Sequence, residues 1–125
     1  MNDSALDLYL RRELRQAAAV SVLDEALSTH HGLCWADFVL LKQLADRAEG
    51  LPEPDLARRL GLSRSRLFVR TRPLEKLGWV TRSEQPRRLS IRPAASSWLS
   101  QAAETAARVC ERLAHEHDVR GAVPA

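Results

Sequence analysis

Apolar residues recur every three or four positions near both ends of the chain, and this spacing predicts two long amphipathic helices. The first should run from about Ala5 to Thr29, because Gly32 then supplies a stop signal. The last should begin at Pro93 and extend to about His117. The apolar positions that define their faces are Leu6, Leu10, Leu14, Ala17, Val20, Leu23 and Leu27 in the first helix, and Trp98, Ala102, Ala106, Val109 and Leu113 in the last.

Between these helices the pattern breaks into shorter units. A helix is expected from Trp35 to Ala48, with Gly50 closing its C-terminus. Its core face would consist of Trp35, Phe38, Leu41, Leu44 and Ala48.

The segment 51–63 has the composition of a helix-turn-helix. It combines prolines suited to a first helical turn, a glycine at Gly61 and an N-cap residue at Ser63. The helix that follows should span Arg64 to Leu77, with a bend or an interruption near Arg72 because Pro73 lacks a backbone donor. Its buried face would be Leu67, Thr71 and Leu74.

A β-hairpin is predicted after this helix. Residues 79–82 and 87–91 have strand composition, and residues 83–86 have the composition of a turn. The architecture indicated is mainly α with one small hairpin.

Charge separates sharply along this otherwise ordinary sequence of 125 residues, which is long enough for one domain. The stretch from Arg58 to Arg92 has a net charge of +9, and the remainder has −6. Such a separation produces a local positive potential that attracts polyanions, whereas a run of ordinary solvated arginines is the alternative.

Several segments of this middle region resemble the MarR (multiple antibiotic resistance) family of bacterial regulators. They are Leu62-Ser63-Arg64-Ser65, Pro73-Leu74-Glu75-Lys76-Leu77-Gly78-Trp79-Val80-Thr81-Arg82, Arg87-Arg88, and Ile91-Arg92-Pro93-Ala94-Ala95. The resemblance implies a winged helix-turn-helix at 34–92, dimerisation helices at 5–30 and 94–118, and a flexible tail at 119–125. The sequence departs from the family pattern at the wing. This wing is short, and it has Pro86 where the family usually has an Asp.

A DNA-reading surface also follows from the residues, because an α-helix fits the major groove of B-DNA. We expect Arg64 and Arg66 to reach base edges, Arg70 and Arg72 to reach phosphates, and the amides beside Ser63 to face a phosphate. Phe68 is balanced between core packing and DNA contact, and Arg82 is expected to pair with Glu84 or Asp55 at the surface. The full predicted set is Ser63, Arg64, Ser65, Arg66, Phe68, Val69, Arg70, Arg72, Arg87 and Arg88, the last two along or inside the minor groove.

The two long apolar stripes predict a homodimer, since a domain of this size cannot cover both. The expected interface residues are Leu6, Leu10, Leu14, Val109 and Leu113, although packing within one chain is the alternative. Members of the family often release DNA on binding a small ligand, and the resemblance implies a cleft lined by Trp35 and Trp98; core packing is the default for both.

Other classes of function are not favoured. The sequence has no Gly-rich phosphate loop, no GxSxG turn and no paired carboxylates in an apolar context, so we expect no enzyme and no cofactor. The histidines His30-His31 and His115-Glu116-His117 could bind zinc across a dimer, but adjacent or i, i+2 histidines face different directions on a helix, so we expect no metal. It has no membrane-length apolar run and no secretion signal, which favours the cytoplasm. The expected function is a homodimeric repressor that binds double-stranded DNA at a palindromic site; the alternative is a winged helix that docks on another transcription protein.

Overall fold

The computed structural model describes residues 3 to 122, with side chains from 4 to 116, and shows a mainly α fold with a small antiparallel sheet. A 3-10 turn at Pro93–Ala95 precedes the last helix. The elements in chain order are α1 (Asp3–His31), α2 (Trp35–Ala45), β1 (Leu51–Pro52), α3 (Glu53–Leu60), α4 (Arg64–Lys76), β2 (Val80–Glu84), β3 (Arg87–Ile91) and α5 (Ser96–Ala122).

The chain forms two compact units. One contains the chain up to Trp35 together with the chain from Ala103 onward, and the other is Ala36–Ala102. The first is called the terminal-helix unit below, and the second the winged unit.

The terminal-helix unit packs the C-terminal part of α1 against α5. Leu23 and Leu27 of α1 are buried, as are Ala106 and Val109 of α5. Every residue from 4 to 18 is exposed, so the first four turns of α1 bury no side chain in this chain.

Both terminal helices are longer than the sequence predicts. The first continues to His31, whose Nε2 lies 2.7 Å from the Thr105 hydroxyl of α5, and Gly32 then turns the chain with a positive φ of 64°. The last continues to Ala122 and so includes residues 119 to 122 of the segment expected as a flexible tail. Residues 123 to 125 lie outside the described chain.

The winged unit has a leucine-rich core at the junction of α2, α3, α4 and the sheet. Helix α2 ends at Ala45, three residues before the predicted end, and Ala48 is exposed rather than part of the core. The helix is followed by two tight turns: the Arg47 amide donates to the Leu44 carbonyl, and the Gly50 amide donates to the Arg47 carbonyl. The buried apolar side chains include Phe38, Leu40, Leu41, Leu44, Leu56, Leu67, Leu74, Val80 and Leu89.

The sheet has the strand order β1-β3-β2. Strand β2 reaches Glu84, so only Gln85 and Pro86 form the predicted turn, and Val80 lies opposite Ile91. Strand β1 was not predicted; it pairs Leu51 with Leu89 and adds a short third strand.

We expected a bend at Pro73 or an interruption near Arg72. Helix α4 passes through Pro73 without a break, so the interruption is wrong. Proline at this position removes only the donor that would bond to the Val69 carbonyl. Val69 is 70% exposed, which leaves that carbonyl within reach of water. Over residues 3 to 122, none of the helices combines the length and apolar character needed to cross a membrane.

Candidate nucleic-acid interface

The turn between α3 and α4 places the start of α4 at the surface. Gly61 adopts the left-handed conformation at φ 66°, and the Leu62 amide donates to the Ala57 carbonyl at 2.9 Å. Ser63 then caps α4, because its hydroxyl accepts a hydrogen bond from the Arg66 amide at 3.2 Å. The glycine stop and the serine cap predicted from the sequence are both confirmed.

Helix α4 divides cleanly into two faces. Leu67, Thr71 and Leu74 are buried, as their spacing predicted. The seven residues proposed to meet DNA from this helix are all exposed: Arg64, Ser65, Arg66, Phe68, Val69, Arg70 and Arg72. Four of the seven are arginines, so the exposed face of α4 is strongly cationic.

Phe68 belongs to the exposed face rather than to the core. Its side chain is 50% exposed. The guanidinium carbon of Arg72 lies 5.4 Å from the ring centroid, and that of Arg82 lies 5.7 Å from it. Both distances fall within the range of cation–π attraction, so both guanidinium groups are attracted to the ring.

The two wing arginines have different surroundings. Arg87 is exposed and lies opposite Glu84 at the end of the hairpin. Arg88 is half-buried, and its Nη1 donates to the Gly50 carbonyl at 3.3 Å. Arg87 is therefore free to reach a phosphate, whereas Arg88 already has a partner within the protein.

Arg82 is not a surface cation, and its expected partners were wrong. It forms ion pairs with Glu53 of α3 and Glu75 of α4, and its side chain is only 17% exposed. Asp55 pairs with Arg58 instead. Burial lowers the pKa of Arg82 below its ordinary value, the charge of Arg87 acts in the same direction, and Glu84 opposes them.

Sequence reasoning missed this cluster because its members are distant along the chain. Glu53 precedes Arg82 by 29 positions. A usable signal was nevertheless present, since Glu75 and Glu84 are the two acids within the basic stretch from Arg58 to Arg92. Of these two acids, Glu75 belongs to the cluster.

The residues proposed for the dimer interface fall into two groups. Leu6, Leu10 and Leu14 are 59%, 50% and 70% exposed, and Leu113 is half-buried. Val109 is only 3% exposed, so its side chain already packs within its own chain.

The two tryptophans proposed for a ligand cleft belong to different units, Trp35 to the terminal-helix unit and Trp98 to the winged unit. Trp98 packs against Trp79 with ring centroids 4.2 Å apart. Among the described residues no cluster of three or more His, Cys, Asp or Glu side chains is arranged to hold a metal ion.

Comparison with known proteins supports the fold assignment. The model of the IclR helix-turn-helix domain matches residues 38–84, and no curated relative matches the sequence significantly. A MarR family transcriptional regulator from Silicibacter pomeroyi has a similar structure, with a TM-score of 0.79 and 22% identity over 97% of this chain and 88% of that one.

Two further structures of this fold contain bound partners. A MarR family protein of Mycobacterium tuberculosis, solved in complex with DNA, is 24% identical, with a TM-score of 0.72 over 89% of this chain and 83% of that one. CouR from Rhodococcus jostii, solved with p-coumaroyl-CoA, is 19% identical, with a TM-score of 0.74 over 90% of this chain and 80% of that one.

Proposed function

Because the chain has the winged helix-turn-helix fold of the MarR-family regulators, we propose that it binds double-stranded DNA in a sequence-specific way and regulates transcription. The observation that carries this proposal is the exposed arginine face of α4, which begins at a serine-capped helix start. A helix of this kind fits the major groove, and its N-terminal residues point at base edges.

The residues on this face divide by their place on the helix. Arg64 and Arg66 lie in the first turn, where guanidinium groups can bond bidentately to guanine. Arg70 and Arg72 lie further along, where phosphates are nearer than bases, and Arg87 adds a phosphate contact from the wing. Phosphate contacts fix register, and base contacts fix sequence.

The regulator is proposed to act as a homodimer. In a single chain the N-terminal part of α1 exposes Leu6, Tyr9, Leu10 and Leu14, a stripe that would promote aggregation if it stayed in water. A twofold partner would cover this stripe and present a second α4. Two copies of α4 would then read half-sites about 10 base pairs apart on a palindromic operator.

The proposal extends to repression and to release by a small molecule. A Rhodococcus protein of the same fold is a transcriptional repressor, CouR, bound to p-coumaroyl-CoA. By analogy we expect an aromatic or anionic effector here.

Selection of bound duplexes from a random-sequence pool, followed by a salt titration on the selected duplex, tests this function. A shared palindromic sequence should emerge, and the logarithm of affinity should fall with the logarithm of salt concentration by about 0.9 per phosphate contacted. Weak binding without sequence enrichment or a salt slope would contradict DNA recognition. It would favour a winged helix that docks on another transcription protein.

A further inference from the structure

We propose that Arg82 is a positioning residue for DNA recognition: it holds the wing and the reading helix α4 in one fixed arrangement and orients Phe68 and Arg72 on the DNA-facing surface. The inference rests on the proposed function but concerns a residue that is not itself expected to touch DNA. It assigns a role to Arg82, the arginine of β2, which is not among the residues proposed to contact DNA.

The contacts of Arg82 join three elements of the winged unit. From β2 its guanidinium binds Glu75 of α4 through two hydrogen bonds, Nε to Oε1 at 2.9 Å and Nη2 to Oε2 at 3.2 Å. Its Nη1 pairs with Glu53, the first residue of α3. A planar guanidinium that binds one carboxylate at two points fixes direction as well as distance.

A fourth contact connects Arg82 to the backbone of α4. Its Nη2 donates to the Thr71 hydroxyl at 3.3 Å, and that hydroxyl donates to the Phe68 carbonyl at 3.2 Å. Thr71 is fully buried, so this pair of hydrogen bonds is partly shielded from water.

The charges of the cluster argue against a direct role in DNA binding. Arg82, Glu53 and Glu75 are 17%, 16% and 18% exposed at their side chains. Two carboxylates face one guanidinium, so the cluster has a net negative charge and would repel a phosphate. Because Arg82 is neutralised by two carboxylates, its role is not to attract the DNA phosphates.

Phe68 links the cluster to the exposed surface. The guanidinium groups of Arg82 and Arg72 lie 5.7 Å and 5.4 Å from its ring centroid. Arg82, whose own position is fixed by the two glutamates, holds the ring, and the ring in turn restricts where the Arg72 guanidinium can rest. Arg72 would consequently meet its phosphate already oriented.

A purely stabilising role is the alternative to a positioning role, and a neutral replacement separates the two. Replacement of a buried ion cluster by hydrophobic side chains of similar volume often leaves stability unchanged. The triple variant Arg82→Met, Glu53→Met, Glu75→Met therefore should fold while lacking the directed contacts. Arg82→Lys provides a second variant, which keeps the charge but cannot bind Glu75 at two points in the same plane.

The first measurement compares affinity for the selected duplex with affinity for a scrambled duplex, in each variant and in the protein of natural sequence. We expect both variants to lose about tenfold in this ratio, a size typical of residues in contact. The matched control removes an exposed ion pair of the same unit, Lys42→Met with Asp46→Asn, and should leave the ratio unchanged. If the triple variant and Arg82→Lys both fold and keep the ratio of the natural protein, the inference is overturned. If the protein of natural sequence itself binds the selected and scrambled duplexes equally well, the proposed function is contradicted instead.

A double-mutant cycle tests the path through Phe68. Arg72→Ala should cost much less affinity in the Arg82→Lys background than in the natural background, because Arg72 is no longer oriented there. Equal losses in both backgrounds would show that Arg82 does not act through Arg72, and would remove that part of the inference.

A distance measurement tests the geometry without DNA. Spin labels at Ser65→Cys in α4 and Gln85→Cys in the wing turn, with Cys34 and Cys110 replaced by alanine, report the separation of the two elements. We expect a narrow distance distribution with Arg82 present and a broader one in the triple variant. Equal widths in the two proteins would refute a positioning role, whatever the DNA results.

Discussion

The hydroxyl oxygen of Ser63 accepts a hydrogen bond from the backbone amide of Arg66, 3.2 Å away, at the first turn of α4. This bond satisfies one of the amide donors that a helix start leaves without a partner. It therefore stabilises the part of α4 that is proposed to enter the major groove.

Removal of this cap should destabilise the protein. We expect Ser63→Ala to lower the free energy of unfolding by about 1 kcal/mol, measured by urea denaturation. Ser100→Ala is the matched control, because Ser100 is exposed within α5 and does not cap a helix, and its effect should stay within about 0.5 kcal/mol. Equal losses in the two variants would contradict the capping role.

Arginines on successive turns of α4 should differ in their effect on DNA binding. Arg64→Ala or Arg66→Ala should reduce discrimination at one base pair of the operator by about 1 to 3 kcal/mol. Arg70→Ala should instead weaken binding to all sequences and reduce the salt slope by about 0.9. Titrations of the selected duplex and its single-base variants, over a range of salt concentrations, measure both effects.

The control for these titrations is Lys42→Ala, which removes an exposed cation of α2 outside the proposed reading surface. It should change neither discrimination nor the salt slope. If the three arginine variants behaved like this control, α4 would not be the reading helix.

The exposed stripe on α1 should hold two chains together. Leu10→Asp places a charge in that stripe, and we expect the sedimentation mass to fall from that of a dimer to the 14.0 kDa of one chain. Leu113→Asp on α5 should act in the same direction. The control Gln16→Asp adds the same charge at an exposed position of α1 and should leave the mass unchanged; a dimer that survives Leu10→Asp would refute the proposed interface.

Gly50 should tolerate no side chain. It has a φ of +78°, and an added Cβ would collide with the carbonyl of Leu89 in β3. Gly50→Ala should therefore destabilise the protein by more than the ~1 to 2 kcal/mol that the left-handed conformation alone costs. Gly78→Ala is the matched control, with a φ of +81° and open space around it, and it should show only the conformational cost in urea denaturation.

Sequence periodicity was sufficient to predict the helices that carry the proposed site. Leu67, Thr71 and Leu74 recur with helical spacing, and the structure buries all three while exposing the arginines between them. The pattern succeeded because a single surface of α4 is covered, so polarity along the sequence reflects burial directly.

Features that depend on partners distant in sequence were not predictable in the same way. Strand β1 is two residues long, too short to show an alternation of apolar and polar residues. It forms because Leu51 pairs with Leu89 of β3. The partners of Arg82 were missed for the same reason, since Glu53 and Glu75 approach it only after α3, α4 and the wing have packed. Local rules likewise allowed an interruption at Pro73, whereas α4 continues through it.

If the proposed dimer covers the N-terminal part of α1, the helix content of this protein should depend on its concentration. A helical segment of about 15 residues is marginal in water without tertiary contacts. Below the concentration at which chains associate, residues 4 to 18 should unwind towards coil, and helix content measured by circular dichroism should fall on dilution. A cell with few copies would then contain monomers in which residues 4 to 18 are unwound. Formation of a dimer on an operator would require these residues to refold against the partner chain.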